Sequence, residues 1–237
     1  MGSPNKDLTT TLIRIQSLLV PLSDRQIPVT FFKPETFDRM TIFLHGGGYI
    51  CGSSRVLSHQ CKYLAECSHS LVVSIDYRLA PENPFPAAYN DCYEVVKWLI
   101  HNLERWHIDQ KKVAISGESA GGALALAISA SDLGSFIALT VPIYGALDIQ
   151  PCEQLSYWSY DQYQIEESQR KYMITRLNRF RLLNDLMIQL YCYHHVDQQD
   201  PRLSSLYIRD FQNLHKVIIV EAEYNYYRLA NDLFAKN

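Results

Sequence analysis

Six short apolar runs rich in β-branched residues recur along the chain, and helical patterns separate them. The runs are IPVTFF, RMTIFLHG, LVVSIDY, KVAISG, FIALTVPIYG and KVIIVEAE. Most are nearly continuous rather than alternating, which marks strands buried on both faces. Between them, AAYNDCYEVVKWLIHNLERW puts Tyr89, Val95, Val96 and Leu99 on one helical face. SAGGALALAISASDLG is apolar almost all round, which predicts a packed central helix ending at Gly134. Strands alternating with helices require a mostly parallel sheet covered on both sides, so the fold class is α/β. The 237 residues suffice for one domain with a substantial core, and residues 1–237 read as a single unit.

One segment breaks the alternation. Residues from about 150 to 195 form a long insertion rich in helix formers and aromatics, including Tyr157, Trp158, Tyr160, Tyr163 and Tyr172. It reads as a small helical cap over the sheet. Trp158, Tyr160 and Tyr163 are expected to wall a substrate pocket, with a small separate aromatic core as the competing reading. The basic residues Arg170, Lys171, Arg176, Arg179 and Arg181 read as a solvated cap-helix face, against an anionic substrate or a membrane surface.

The net charge of −3 is too small and too dispersed for nucleic-acid binding. No run of 18 apolar residues is present to span a membrane, and the N-terminus has no signal-like apolar region. Six cysteines without a C-x-x-C pair or zinc spacing read as reduced thiols, which places the chain in the cytoplasm.

Two glycine motifs carry the chemistry. In ISGESAGG, Gly117, Ser119 and Gly121 fit G-x-S-x-G, after a buried strand and before an apolar helix. That context is the nucleophile elbow, where a sharp turn exposes the serine Oγ at the positive end of the next helix. In FLHGGGYICGS, three glycines follow a strand. The N–H groups of Gly47 and Gly48, with that of Ala120, are expected to form an oxyanion hole, and His45 to fix the loop by a hydrogen bond. No G-K-[ST] follows, so a phosphate loop is disfavoured.

With YRLAPE at Tyr77–Glu82 and DPRLSSL at Asp200–Leu206, these motifs resemble the hormone-sensitive-lipase-like branch of the α/β-hydrolases, the HGGG and G-[DE]-S-A-G-G esterases and lipases. All occur in family order, from about Ile27 onward. The resemblance implies hydrolysis of short- to medium-chain carboxylic esters without metal or cofactor.

In that family the strand after the cap leads into a segment like A-E-Y-D-P-L-R-D-E, whose first aspartate orients the catalytic histidine. Here the segment is Ala222-Glu223-Tyr224-Asn225-Tyr226-Tyr227-Arg228, so Asn225 stands at the acid position. The family histidine comes later still, and all eight histidines of this chain precede Asn225. His194 and His195 are the nearest substitutes as base, and Glu221, Glu223 and Asp232 as acid. The last family strand and helix are expected to be missing, which would leave Val217–Val220 as an exposed edge suited to homodimer formation. Two functional readings stand: a serine carboxylesterase weak or inactive in this chain, and a non-catalytic ligand-binding pseudo-hydrolase.

Overall fold

The computed structural model describes residues 6–193 and 196–236. Their core is a seven-stranded sheet. Its strands are β1 (Arg14–Pro21), β2 (Gln26–Lys33), β3 (Arg39–Leu44), β4 (Ser70–Ile75), β5 (Val113–Glu118), β6 (Leu139–Ile143) and β7 (Lys216–Val217), in spatial order β1-β2-β4-β3-β5-β6-β7. The first two are antiparallel to their neighbours, and β4, β3, β5, β6 and β7 run parallel. The α/β architecture is therefore the expected one.

The central strands are buried on both faces, as continuous apolar runs require. Every residue of β4 is buried, as are Met40–Leu44 of β3. The helices are α1 (Ser58–Ser68), α2 (Ala87–His101), α3 (Ala120–Ser129), α4 (Glu167–Tyr191) and α5 (Arg228–Phe234). All ten residues of α3 are buried. It stops at Ser129 rather than running on to Gly134, and a short 3-10 turn covers Asp132–Phe136. Gly134 sits there because a Cβ would come within 2.0 Å of the Ser129 carbonyl oxygen.

Two elements have no counterpart among the predicted runs. The strand β1 pairs only with β2 and leaves Ile15, Leu18 and Leu19 exposed, so its residues lack a buried-strand pattern. The helix α1 has mostly polar residues and buries only Cys61 and Ala65. Conversely, KVIIVEAE contributes just two strand residues, followed by a bridge between Ile143 and Val220.

The insertion contains two 3-10 turns and the 25-residue α4. This helix turns Met173, Leu177, Asn184, Met187 and Tyr191 inward. Tyr191 stacks on Tyr49 with ring centroids 4.1 Å apart, and its carbonyl accepts the Phe85 N–H at 2.8 Å. Asn184 donates to the Ile149 carbonyl at 2.9 Å and accepts from Tyr227 Oη at 2.8 Å. The helix is thus fastened to the body along its length, over the carboxyl ends of the strands.

Candidate active site

Leu44 at the end of β3 lies opposite Gly117 of β5. Adjacent parallel strands therefore deliver two loops to one place: residues 45–52 and the turn at Ser119. Parallel α/β sheets place their sites at this carboxyl end.

Ser119 has φ 51° and ψ −119°, a region that is costly for a residue with a Cβ, by about 1–3 kcal/mol. The surroundings hold it there. Its N–H donates to the Ile143 carbonyl at 3.0 Å, and its carbonyl accepts from the Gly122 and Ala146 N–H groups, each at 3.0 Å. The flanking glycines are sterically required. A Cβ on Gly117 would lie 2.4 Å from the Gly121 oxygen, and one on Gly121 would lie 2.1 Å from the Leu44 oxygen. The turn thus presses β5 and α3 against β3, with Ser119 at the positive end of α3.

The neighbouring loop is held as tightly. Gly47 has φ +121° and Gly48 φ +60°, and a Cβ on Gly47 would meet the Cys51 carbonyl oxygen at 2.0 Å. The Gly47 carbonyl accepts from the N–H groups of Ile50 and Cys51. Among the described residues, the N–H groups of Gly47 and Gly48 donate to no carbonyl. Ala120 is the first residue of α3, where an N–H has no partner within the helix. His45 is buried, with Nδ1 2.8 Å from the Gly46 oxygen and its ring stacked 4.1 Å from Tyr77. Tyr77 Oη donates to the His45 carbonyl at 2.7 Å. Burial pushes the His45 pKa down, which keeps the ring neutral.

Ser119 and Asn225 line one cavity of about 260 Å³. Its walls come from Tyr144, Phe180 and Tyr227, with Ala222 and Arg176 completing it. Tyr144, itself at φ 38°, donates through Oη to Glu118 at 2.7 Å. Asn225 Oδ1 accepts the Tyr227 N–H at 3.0 Å, an Asx turn, and Nδ2 reaches the Tyr144 carbonyl at 3.5 Å. Burial raises the pKa of the nearby Glu221 carboxylate, which accepts from the Ala222 N–H at 2.8 Å and from Asn231 Nδ2.

The three aromatics expected as pocket walls lie elsewhere. Trp158 packs on Tyr160, Tyr163 and Tyr226 at centroid distances of 5.0, 6.1 and 5.2 Å. Trp158 Nε1 and Tyr163 Oη donate to the Tyr226 carbonyl, and Tyr160 Oη donates to Asn178. They form a small aromatic cluster against Tyr226, which braces the Asn225 turn from outside the cavity. Their amphipathic rings find polar partners there rather than facing the cavity. Gly47 and Gly48, in the loop after β3, do not line the Ser119–Asn225 cavity either.

No histidine lines this cavity among the described residues. His59 faces Asp7 at 3.5 Å, and His101 Nδ1 lies 2.7 Å from the Lys97 carbonyl. His69 and His107 occupy left-handed positions that end helices, and His215 is exposed. His194 and His195 lie outside the described residues. Glu223 is exposed, and Asp232 faces Arg228 at 3.7 Å, so neither carboxylate enters the cavity.

Tyr144, Phe180, Tyr227 and Ala222 were not among the residues singled out from the sequence. Tyr144 carries one readable signal, its place immediately after a parallel strand. Arg176 and Phe180 stand four apart on α4, but the sequence does not say which face of a cap helix looks down.

Comparison with known proteins agrees with this fold. Residues 41–237 match the family described as the alpha/beta hydrolase fold. The chain belongs to that family, in its hormone-sensitive-lipase-like branch. It is 31% identical over 229 residues to an arylesterase of Saccharolobus solfataricus, covering 93% of this chain and 69% of that protein. It is 30% identical to an ethyl acetate hydrolase of Pseudomonas putida over 76% of this chain and 55% of that enzyme. Among solved structures, an esterase of Pyrobaculum calidifontis superposes with a TM-score of 0.77 at 31% identity, covering 94% of this chain and 71% of that one. Among the described residues, no group of three or more His, Cys, Asp or Glu is placed to hold a metal ion, and no helix is long and apolar enough to cross a membrane.

Proposed function

We propose that this chain is the body of a serine carboxylesterase for short- to medium-chain carboxylic esters. Ser119 is the nucleophile. The N–H groups of Gly47, Gly48 and Ala120 receive the oxyanion. Attack of Ser119 Oγ on the ester carbonyl forms a tetrahedral intermediate whose negative oxygen those three donors stabilise. Collapse expels the alcohol and leaves an acyl-serine, which water then hydrolyses. The observation that carries this reading is Ser119 itself, strained at φ 51° on the strand–helix turn and opening into the cavity it shares with Asn225.

Asn225 stands where the family acid stands. An amide there supplies no negative charge to stabilise an imidazolium, a change that costs about 10⁴-fold in kcat in a serine protease. Among the described residues, no histidine in the cavity stands as a base for Ser119. The 237-residue chain on its own is therefore slow. Added imidazole tests the reading. Hydrolysis of p-nitrophenyl acetate by the chain should rise with imidazole beyond the rise seen with Ser119→Ala. Equal rises in both proteins would count against a nucleophilic Ser119.

The second reading, a ligand-binding pseudo-hydrolase, is favoured by one observation. The Asn225 amide is matched to its neighbours as an amide, since Oδ1 accepts the Tyr227 N–H at 3.0 Å and Nδ2 points at the Tyr144 carbonyl.

A further inference from the structure

Arg176 and Phe180 sit about one turn apart on α4, and both line the Ser119 cavity. Further along the same helix, Met187 lies over the glycine loop, its side chain 3.5 Å from where a Gly48 Cβ would be. At a rise of about 1.5 Å per residue, Met187 and Phe180 are about 10 Å apart along the axis, and Arg176 lies about 6 Å beyond. The helix therefore spans the site. The glycine loop lies under one end, Phe180 over the middle and a guanidinium at the other end.

Arg176 is the only charged side chain lining the cavity among the described residues. It makes no salt bridge among them, like Lys171 and Arg179 on the same helix, whereas Arg170 pairs with Asp161 at 3.2 Å and Arg181 with Glu153; of the three unpaired cations only Arg176 lines the cavity. Glu118, beside Ser119, and Glu221, beside Ala222, are engaged elsewhere. Glu118 accepts from Tyr144 Oη at 2.7 Å, and Glu221 accepts from the Ala222 N–H at 2.8 Å and from Asn231 Nδ2. A guanidinium with five fixed donors, set at the rim of an aromatic cavity, matches a carboxylate.

We infer that Arg176 selects esters whose far end carries a second, ionised carboxylate, that is, short monoesters of dicarboxylic acids. The scissile ester lies by Ser119, the methylene spacer passes Phe180, and the free carboxylate meets the guanidinium. The inference rests on the hydrolase reading for the place of the ester, but its test is equilibrium binding and needs no turnover.

Monoethyl glutarate and its neutral analogue of similar length, ethyl pentanoate, are titrated into the 237-residue chain at low salt and followed by NMR. Charge-assisted pairing at a partly solvated rim should make monoethyl glutarate bind about tenfold tighter to the wild type than to Arg176→Gln. Ethyl pentanoate should bind both proteins equally. Arg176→Lys should keep part of the preference, and about 0.5 M salt should shrink it. Arg179→Gln, which alters a residue outside the cavity, should change neither affinity. The inference is overturned by any of three results: no binding of monoethyl glutarate to the wild type, equal weakening of both ligands in Arg176→Gln, or the same loss in Arg179→Gln. Charge preference without Ser119-dependent imidazole rescue would sink the hydrolase reading and keep this one. Rescue without charge preference would do the reverse.

Discussion

Asn225 Nδ2 points at the Tyr144 carbonyl at 3.5 Å, on the wall of the cavity that also holds Ser119. The Glu221 carboxylate lies near the same Asn225 side chain. Asn225→Asp would therefore set a carboxylate against a carbonyl and beside a second carboxylate. Two acids sharing a site cannot both ionise freely. The substitution should lower stability by about 1 kcal/mol near neutral pH, with a smaller loss below the ordinary carboxylate range. It should not raise ester turnover, because an orienting acid without its imidazole has nothing to orient. Denaturant unfolding at both pH values and an ester assay check this.

The elbow and the glycine loop should respond differently to added methyl groups. On Gly121 a Cβ would meet the Leu44 carbonyl oxygen at 2.1 Å, and backbone cannot step aside. Gly121→Ala should cost about 3 kcal/mol or more. On Gly48 the nearest atoms are flexible Met187 side-chain atoms at 3.5 Å, so only the left-handed φ of +60° opposes a substitution. Gly48→Ala should cost about 1 kcal/mol. Urea midpoints compare the two variants.

Much of this arrangement was legible in the sequence, for a physical reason. The central strands are buried on both faces, so their composition alone marks them, and the glycines are fixed by backbone contacts that tolerate no side chain. The edge strand β1 has only one neighbour and exposes Ile15, Leu18 and Leu19, which left no pattern to read. The cap aromatics were visible as a group, but their direction was not. Trp158 and Tyr163 turn to the Tyr226 carbonyl, a partner about 65 residues away in sequence that no local pattern names.

His45 makes stability depend on pH. Burial lowers its folded-state pKa, so the unfolded chain takes up the proton first as the pH falls. Stability should be lost as the pH drops through the unfolded value of about 6.5 toward the folded one. Glu221 acts in the opposite sense, because burial raises its folded pKa and the folded state binds a proton more readily. His45→Asn separates the two effects. The variant should be less stable at about pH 8, and its stability should fall less than that of the wild type between about pH 8 and pH 5. Parallel curves in urea would remove His45 from the account.

The strand β7 predicts association of the 237-residue chain. Among the described residues it pairs with β6 alone, and Ile218 and Val220 are 43% and 44% exposed. Ile218 and Val220 donate their N–H groups to β6, and among the described residues the Ile219 N–H has no backbone partner. Such an edge pairs with a second copy. Light scattering should show concentration-dependent dimers or larger species, reduced by Ile219→Pro, which removes the outward donor. A monodisperse monomer at all concentrations would show that this edge is not used.

The most direct test is steady-state turnover of a p-nitrophenyl short-chain ester by the chain and by Ser119→Ala, without added base. Oxyanion donors and binding alone leave roughly 10³–10⁴-fold acceleration when a triad is disabled, whereas complete enzymes commonly reach about 10⁶-fold or far more. The account predicts slow hydrolysis that Ser119→Ala changes little. Fast hydrolysis abolished by Ser119→Ala would contradict it, and would mean that a base reaches Ser119 from His194, His195 or a neighbouring copy of the chain.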